Sequence, residues 1–209
     1  MTASGLLVVI EGIDYSGKTT QTRRLVRALE GAGRSVSSFH FPTDASDLGK
    51  FIRRALSGGC SLPDDTLLAL FAANRLESRV PIQSALLNDR VVVCDRYCPS
   101  EYAYGAAKGL PLNWLEALES RMPPADITYL LDLDVPRAAE RSREGAARDM
   151  FEEDHRFLEG VRQAYLNIAK SGGKLGSGWV IIDAGRTEDA IADQLFAGVF
   201  SRLRDGAAG

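Results

Sequence analysis

An α/β fold built on a five-stranded parallel sheet, with helices on both faces, is what this chain predicts. Three features carry that expectation: five short apolar runs separated by longer helix-like segments, a glycine-rich phosphate-binding motif behind the first run, and paired charges behind the third. The runs are Leu6 to Ile10, Ser35 to Phe39, Val91 to Cys94, Ile127 to Leu133 and Trp179 to Ile182. Their near-continuous hydrophobicity suits strands covered on both sides, and their alternation with helices reads as successive βα units. Ligands then belong at the carboxyl ends of the strands.

The first run leads into EGIDYSGKTTQ, Glu11 to Gln21, where Gly12, Gly17, Lys18 and Thr19 fit G-x-x-x-x-G-K-[ST]. In such a loop backbone N–H groups cradle phosphates, the lysine reaches the terminal ones and the hydroxyl serves Mg²⁺. Thr20 to Leu29 has the apolar spacing of an amphipathic helix, so the motif has the strand before it and the helix after it that it requires. The chain therefore reads as a P-loop NTPase.

Composition sets bounds on the partners. A chain of 209 residues with 45% hydrophobic and 25% charged residues is expected to form one domain, residues 1–209. A net charge of −3 and a pI near 5.5 provide no basic field for nucleic acid, so small molecules are the expected partners. Cys60, Cys94 and Cys98 are too few for a disulfide scaffold, and with only His40 and His155 they make a poor zinc site. Cys94 reads as core. No stretch reaches the length of a membrane span and no signal peptide is apparent, which sets the expectation of a cytoplasmic protein without a membrane partner.

The third run, RVVVC, is followed by Asp95, Arg96 and Tyr97. A carboxylate at a strand end beside a phosphate loop can hold Mg²⁺ through water, and an arginine there can clamp a phosphoryl group with two parallel hydrogen bonds. A surface ion pair is the bland reading. In LLALFAANR, Leu67, Phe71 and Arg75 share one helix face. That face is either core with an arginine at its edge, or an aromatic ring and a guanidinium fork that suit a nucleobase.

Two interruptions stand out, the polar, turn-rich Pro42 to Asp65 and the charge-crowded Arg141 to Asp154. Each is either a solvated loop with its helix or a part that closes over ligands. Before the second, DLDVP ends a strand at Asp132 or Asp134, with Asp134 a candidate N-cap and Pro136 able to open a helix. Arg141, Arg143 and Arg148 interleave with Glu140 and Glu144. They are ion-paired surface, or a lid bringing positive charge to a transferring phosphoryl group, a role worth roughly 10³ to 10⁵ in rate.

Taken in order, the phosphate loop, DRY, LFAANR and DLDVP resemble thymidylate kinase, a nucleoside monophosphate kinase family, over nearly the whole chain from EGIDYSGKTTQ to IIDAG. The resemblance implies a phosphate-loop core, a monophosphate-binding region at 42–90 and a lid at 141–154. The implied reaction is ATP + dTMP to ADP + dTDP with Mg²⁺, in a homodimer. Gly12, Ser16, Gly17, Lys18, Thr19 and Thr20 would hold the ATP phosphates, Thr19 and Asp95 would serve the metal, and Arg141, Ala184 and Arg186 would surround the adenine.

On the acceptor side the resemblance implies that Asp14 approaches the sugar 3′-hydroxyl and that Arg96 and Arg53 take the phosphate. Phe71 would stack on thymine with Arg75 at its carbonyl edge, Tyr104 would lie beneath the deoxyribose, and Phe41, Pro42 and Ser100 would complete the pocket. The chain departs from the family at Tyr15, where some members carry an arginine, which moves the catalytic charge to Arg143 or Arg148. Asp44 replaces a phosphate-binding arginine of several relatives. Glu101 and Gly105 stand where bacterial relatives often have serine and glutamine near the base, so base selection is the open point.

Two other readings stay on the table. A deoxynucleoside kinase would need a carboxylate base at the end of the second strand, where this chain has FHFPT. A catalytically inactive ATP-binding relative would bind ATP and turn over no monophosphate. A GTPase switch lacks its guanine-reading NKxD.

Overall fold

The structure, a computed structural model, describes residues 5–143, 155–171 and 178–205. In chain order the elements are β1 (Leu6–Glu11), α1 (Lys18–Gly31), β2 (Val36–His40), α2 (Asp47–Leu56), α3 (Asp64–Glu77), α4 (Arg79–Leu87) and β3 (Val91–Asp95). There follow α5 (Cys98–Ala107), α6 (Leu112–Glu119), β4 (Ile127–Asp132), α7 (Val135–Arg143), α8 (His155–Lys170), β5 (Trp179–Asp183) and α9 (Glu188–Asp205). The five strands form one parallel sheet in the order β2-β3-β1-β4-β5. The expected runs and the observed strands agree to within a residue or so at each end, the ordinary uncertainty of a strand terminus.

Strand alternation explains why the runs are so uniformly apolar. In β1, Val8 and Ile10 join the larger core while Leu7 and Val9 face the opposite one, and in β3 Val91 and Val93 are likewise opposed to Val92 and Cys94. Both faces are covered, so neither phase of the alternation can be polar. Cys94 is a fully buried free thiol, part of the packing as expected.

Because β1 lies between β3 and β4, the chain leaves it for one side of the sheet and later returns on the other. Such a reversal opens a crevice at the carboxyl end of β1, and the phosphate loop sits in it. No helix among the described residues is long and apolar enough to cross a membrane.

The stretch Pro42 to Asp65 contains α2, which packs on α3 through a small core of Ile52, Ala55, Leu56 and Leu67. Ser46 caps α2 by accepting from the Gly49 N–H at 3.1 Å, and the buried Asn74 amide ties down the turn before it. Asn74 Oδ1 accepts from the Thr43 N–H at 2.8 Å while its Nδ2 donates to Ser46 Oγ at 3.3 Å. Gly49 is required here for space: a methyl group added to it would run into the Thr43 carbonyl, which is backbone and cannot swing away. The Gly49→Ala change should therefore destabilise the chain by about 1–3 kcal/mol, lowering the thermal midpoint by roughly 3–10 °C. An unchanged melting curve would contradict this packing.

Candidate active site

The phosphate loop owes its shape to its two glycines. Gly12 has φ 148°, and a Cβ on it would meet the Leu131 carbonyl and Ser16 Oγ at 2.6 Å each. Gly17 caps α1 in the left-handed region at φ 94° with open space around it, so there the need is conformational. The first turn of α1 directs its unpaired N–H groups at the loop's concavity, as any helix start does, and makes an anion site. Ser16 Oγ is buried with no hydrogen-bond partner among the described residues, and Lys18 Nζ donates across the loop to the Ile13 carbonyl at 2.7 Å. Burial and then the Arg96 charge push the Lys18 ammonium down to about 8, against the pull of Asp14, Asp95 and Glu11.

The DRY turn lies beside this loop. Thr19 Oγ1 donates to Asp95 Oδ2 at 2.6 Å, which joins the start of α1 to the end of β3. No group of three or more His, Cys, Asp or Glu placed to hold a metal ion occurs among the described residues. One carboxylate with one hydroxyl nevertheless fits Mg²⁺, which keeps several waters and takes its remaining ligands from substrate phosphates.

Arg96 has φ 64°, and its guanidinium is held from three sides. Nη1 donates to the Gly12 carbonyl at 3.2 Å, while Nη2 pairs with Asp14 and lies 3.4 Å from Tyr104 Oη. Tyr104 Oη in turn donates to Asp14 Oδ2 at 3.0 Å. Burial alone would raise the Asp14 carboxyl, but Arg96, Lys18 and the Tyr104 hydrogen bond outweigh it and hold the group below its usual range.

Glu11, at the end of β1, organises this turn and was not singled out from the sequence. Its Oε1 accepts from the Tyr97 N–H at 2.7 Å and the Ser100 N–H at 3.2 Å, and its Oε2 from Ser100 Oγ and Tyr165 Oη, each at 2.8 Å. The only signal in the sequence is a charged residue directly continuing a buried strand.

A cleft of about 890 Å³ joins these groups to the others read from the sequence. Its walls include the phosphate loop from Asp14 to Thr20, with Phe41, Pro42, Arg53, Phe71, Arg75, Asp95, Arg96, Ser100, Tyr104, Arg141, Ala184 and Arg186. Gly12 lies just behind them, offering its carbonyl to Arg96. Arg143 ends α7, and its side chain, with Arg148, lies outside the described residues. Asp134 caps α7 by accepting from the Arg137 N–H at 2.9 Å. Arg141 bridges the Tyr15 carbonyl at 3.2 Å and the Ala184 carbonyl at 2.9 Å, and Arg186 Nη1 donates to Gln194 Oε1 at 2.5 Å.

Three departures from the expected pattern acquire physical meanings. Asp44 pairs with Arg53 at 3.0 Å, both half-exposed, so the carboxylate orients the arginine it stands near. Gly105 is not on the cleft: a Cβ there would meet Leu115 Cδ1 at 2.5 Å, so its role is the close approach of α5 to α6. Glu101 does line the cleft. It is buried against Arg75, which also pairs with Glu119 of α6, and burial lifts its carboxyl to about 7, with Arg75 opposing and Glu119 adding to the rise.

The sequence model of the thymidylate kinase family matches residues 10–195. The chain is 32% identical to a thymidylate kinase of Arabidopsis thaliana over 201 residues, covering 96% of this chain and 73% of that one. It is 39% identical to a probable thymidylate kinase of Pyrococcus horikoshii over 172 residues, covering 79% and 83%. Its fold superposes on the solved thymidylate kinase of Candida albicans with a TM-score of 0.79 at 29% identity, covering 95% of this chain and 92% of the other.

The raised Glu101 carboxyl makes a prediction about stability. Its folded value of about 7 lies above the ordinary 4.5, so between the two the folded chain holds a proton that the unfolded chain has released. That contribution is complete below the lower value and is lost as pH rises through the upper one. In unfolding titrations the stability of the native chain relative to Glu101→Gln should fall from about pH 5 to about pH 7.5. A difference that stays flat or grows would contradict the burial argument.

Proposed function

The chain belongs to the thymidylate kinase family, and from that premise we propose that it moves the γ-phosphoryl group of ATP to dTMP, giving dTDP and ADP. The observation that supports this reading best is that one cleft holds two cationic phosphate sites side by side, the loop with Lys18 and the turn with Arg96. Two phosphate-bearing ligands entering from opposite ends would meet there. An oxygen of the acceptor phosphate attacks the γ-phosphorus, the bond to the β-phosphate oxygen breaks, and ADP leaves.

Little covalent help is needed in such a transfer, so positioning and charge do most of the work. Lys18 neutralises the transferring group from the loop, and Arg96, braced by Asp14 and the Gly12 carbonyl, holds the acceptor phosphate in line. Arg53, oriented by Asp44, adds charge on the outer side. Thr19 and Asp95 would hold Mg²⁺, which would supply positive charge to offset that of the ATP phosphates. Asp14 and Tyr104 take the sugar, and Phe71 with Arg75 takes the base. Arg141, Ala184 and Arg186 border the adenine.

The same proposal makes residues 1–209 one catalytic unit, with 42–90 binding the monophosphate and 141–154 a lid whose Arg143 or Arg148 reaches the transferring group. It carries over from the family resemblance a homodimer, and from the sequence a cytoplasmic setting. Direct phosphorylation of thymidine is disfavoured because β2 runs into His40, Phe41 and Pro42 with no carboxylate at its end.

ADP formation from ATP and Mg²⁺ tests the reading, with dTMP and thymidine offered separately. Turnover with dTMP is expected, falling at least about 10²-fold in Lys18→Ala. Turnover on thymidine alone would install the nucleoside kinase, and silence on both with ATP still bound would leave an inactive relative.

A further inference from the structure

Three non-glycine residues among those described have a left-handed backbone: Tyr15 (φ 62°), Asp89 (φ 56°) and Arg96 (φ 64°). Asp89 sits in the turn after α4, and aspartate tolerates that conformation. Arg96 is held from three sides by Gly12, Asp14 and Tyr104. Tyr15 stands where glycine would fit at less cost. The Ser16 N–H donates to the Ile13 carbonyl at 3.3 Å, which closes a four-residue turn with Asp14 and Tyr15 at its centre. A positive φ at the second central position alone is the type II arrangement, and such a turn favours glycine or asparagine there.

Strain of this kind persists where the surroundings enforce it. Arg141 Nη1 donates to the Tyr15 carbonyl at 3.2 Å, and Lys18 Nζ to the Ile13 carbonyl at 2.7 Å. Both bonds are to backbone and neither needs a tyrosine, so the use of this residue lies in its side chain. Tyr15 is partly buried, packs against the larger core and forms part of the cleft wall. Its chain neighbours divide the cleft between them: Asp14 braces Arg96 on the acceptor side, while Ser16, Gly17 and Lys18 line the phosphate loop. An aromatic ring, carrying no charge, therefore stands where the two phosphate sites adjoin.

Water is the rival acceptor at that junction. When a water oxygen attacks the γ-phosphorus, the bond to the β-phosphate oxygen breaks and ADP and inorganic phosphate leave. One water proton stays on the phosphate, the other passes to solvent, and the nucleotide acceptor is untouched. A site that keeps water out suppresses this loss. We propose that Tyr15 is a water-excluding residue, whose ring covers the junction of the two phosphate sites and commits the γ-phosphoryl group to the nucleotide acceptor. This inference rests on the proposed monophosphate kinase reading and adds to it the means by which ATP hydrolysis is held down.

Inorganic phosphate and dTDP formed from ATP and Mg²⁺ at saturating dTMP, measured together, test it. Phosphate reports attack by water, and dTDP reports transfer. Tyr15→Gly is the informative change, because glycine takes the left-handed backbone without strain and so keeps the shape of the loop. It should release phosphate at least about tenfold faster than the native enzyme, a gain that a damaged loop would not produce. Tyr15→Asn, also suited to that backbone, should show the same gain. Tyr15→Phe keeps the ring and should hold phosphate release within about twofold of native. Adding Lys18→Ala to Tyr15→Gly should abolish the extra phosphate, which assigns it to this site. Unchanged or slower phosphate release in both Tyr15→Gly and Tyr15→Asn, an equal gain in Tyr15→Phe, or a gain that survives Lys18→Ala would overturn the assignment. Absence of dTDP with the native enzyme would overturn the kinase reading beneath it.

Discussion

The carboxylate of Glu11 is the interaction on which the rest of the site depends. It sits at the end of the central strand with no exposed surface, and burial raises its pKa. Arg96 and the hydrogen bonds from Ser100, Tyr165 and the Tyr97 amide work against that rise, in that order. Two of its partners are backbone N–H groups at the start of α5, which has no cap from its own preceding residue. A strand residue thus does for this helix what an N-cap side chain normally does.

The benefit falls on Arg96. A left-handed conformation in a non-glycine residue costs of order 1–3 kcal/mol and persists only when the surroundings enforce it. Glu11 fixes the residues that follow, and β3 with Asp95 fixes those before, so the turn has little freedom to relax. Its consequence is that Arg96 points back over the phosphate loop at Gly12 and Asp14 rather than along the strand. The cleft's residues are steadied by neighbouring charges: Asp14 steadies Arg96, Asp95 steadies Thr19, and Asp44, outside the cleft wall, steadies Arg53.

Sequence reading reached the elements whose logic is local. The phosphate loop has fixed internal spacing, the strands have period and length, and DRY follows directly on an apolar run, so each could be seen without knowing its partners. What escaped were residues defined by distant ones. Glu11 meets Tyr97, Ser100 and Tyr165 across separations of 86, 89 and 154 residues, and Glu119 meets Arg75 across 44. No periodicity connects such positions. Gly105 and Glu101 looked alike as departures near the base, four residues apart on one helix, yet one is a packing glycine and the other faces the cleft.

Binding titrations of Glu11→Gln by calorimetry test the central dependence most directly, with dTMP and metal-free ATP measured separately. Losing hydrogen bonds to a buried charge is worth about 1.5–3 kcal/mol, so dTMP should bind roughly 10- to 100-fold more weakly. ATP, held by the loop, should weaken by no more than about threefold. Unchanged dTMP affinity, or an equal loss for both ligands in a folded variant, would contradict the claim that this carboxylate sets the acceptor side of the site.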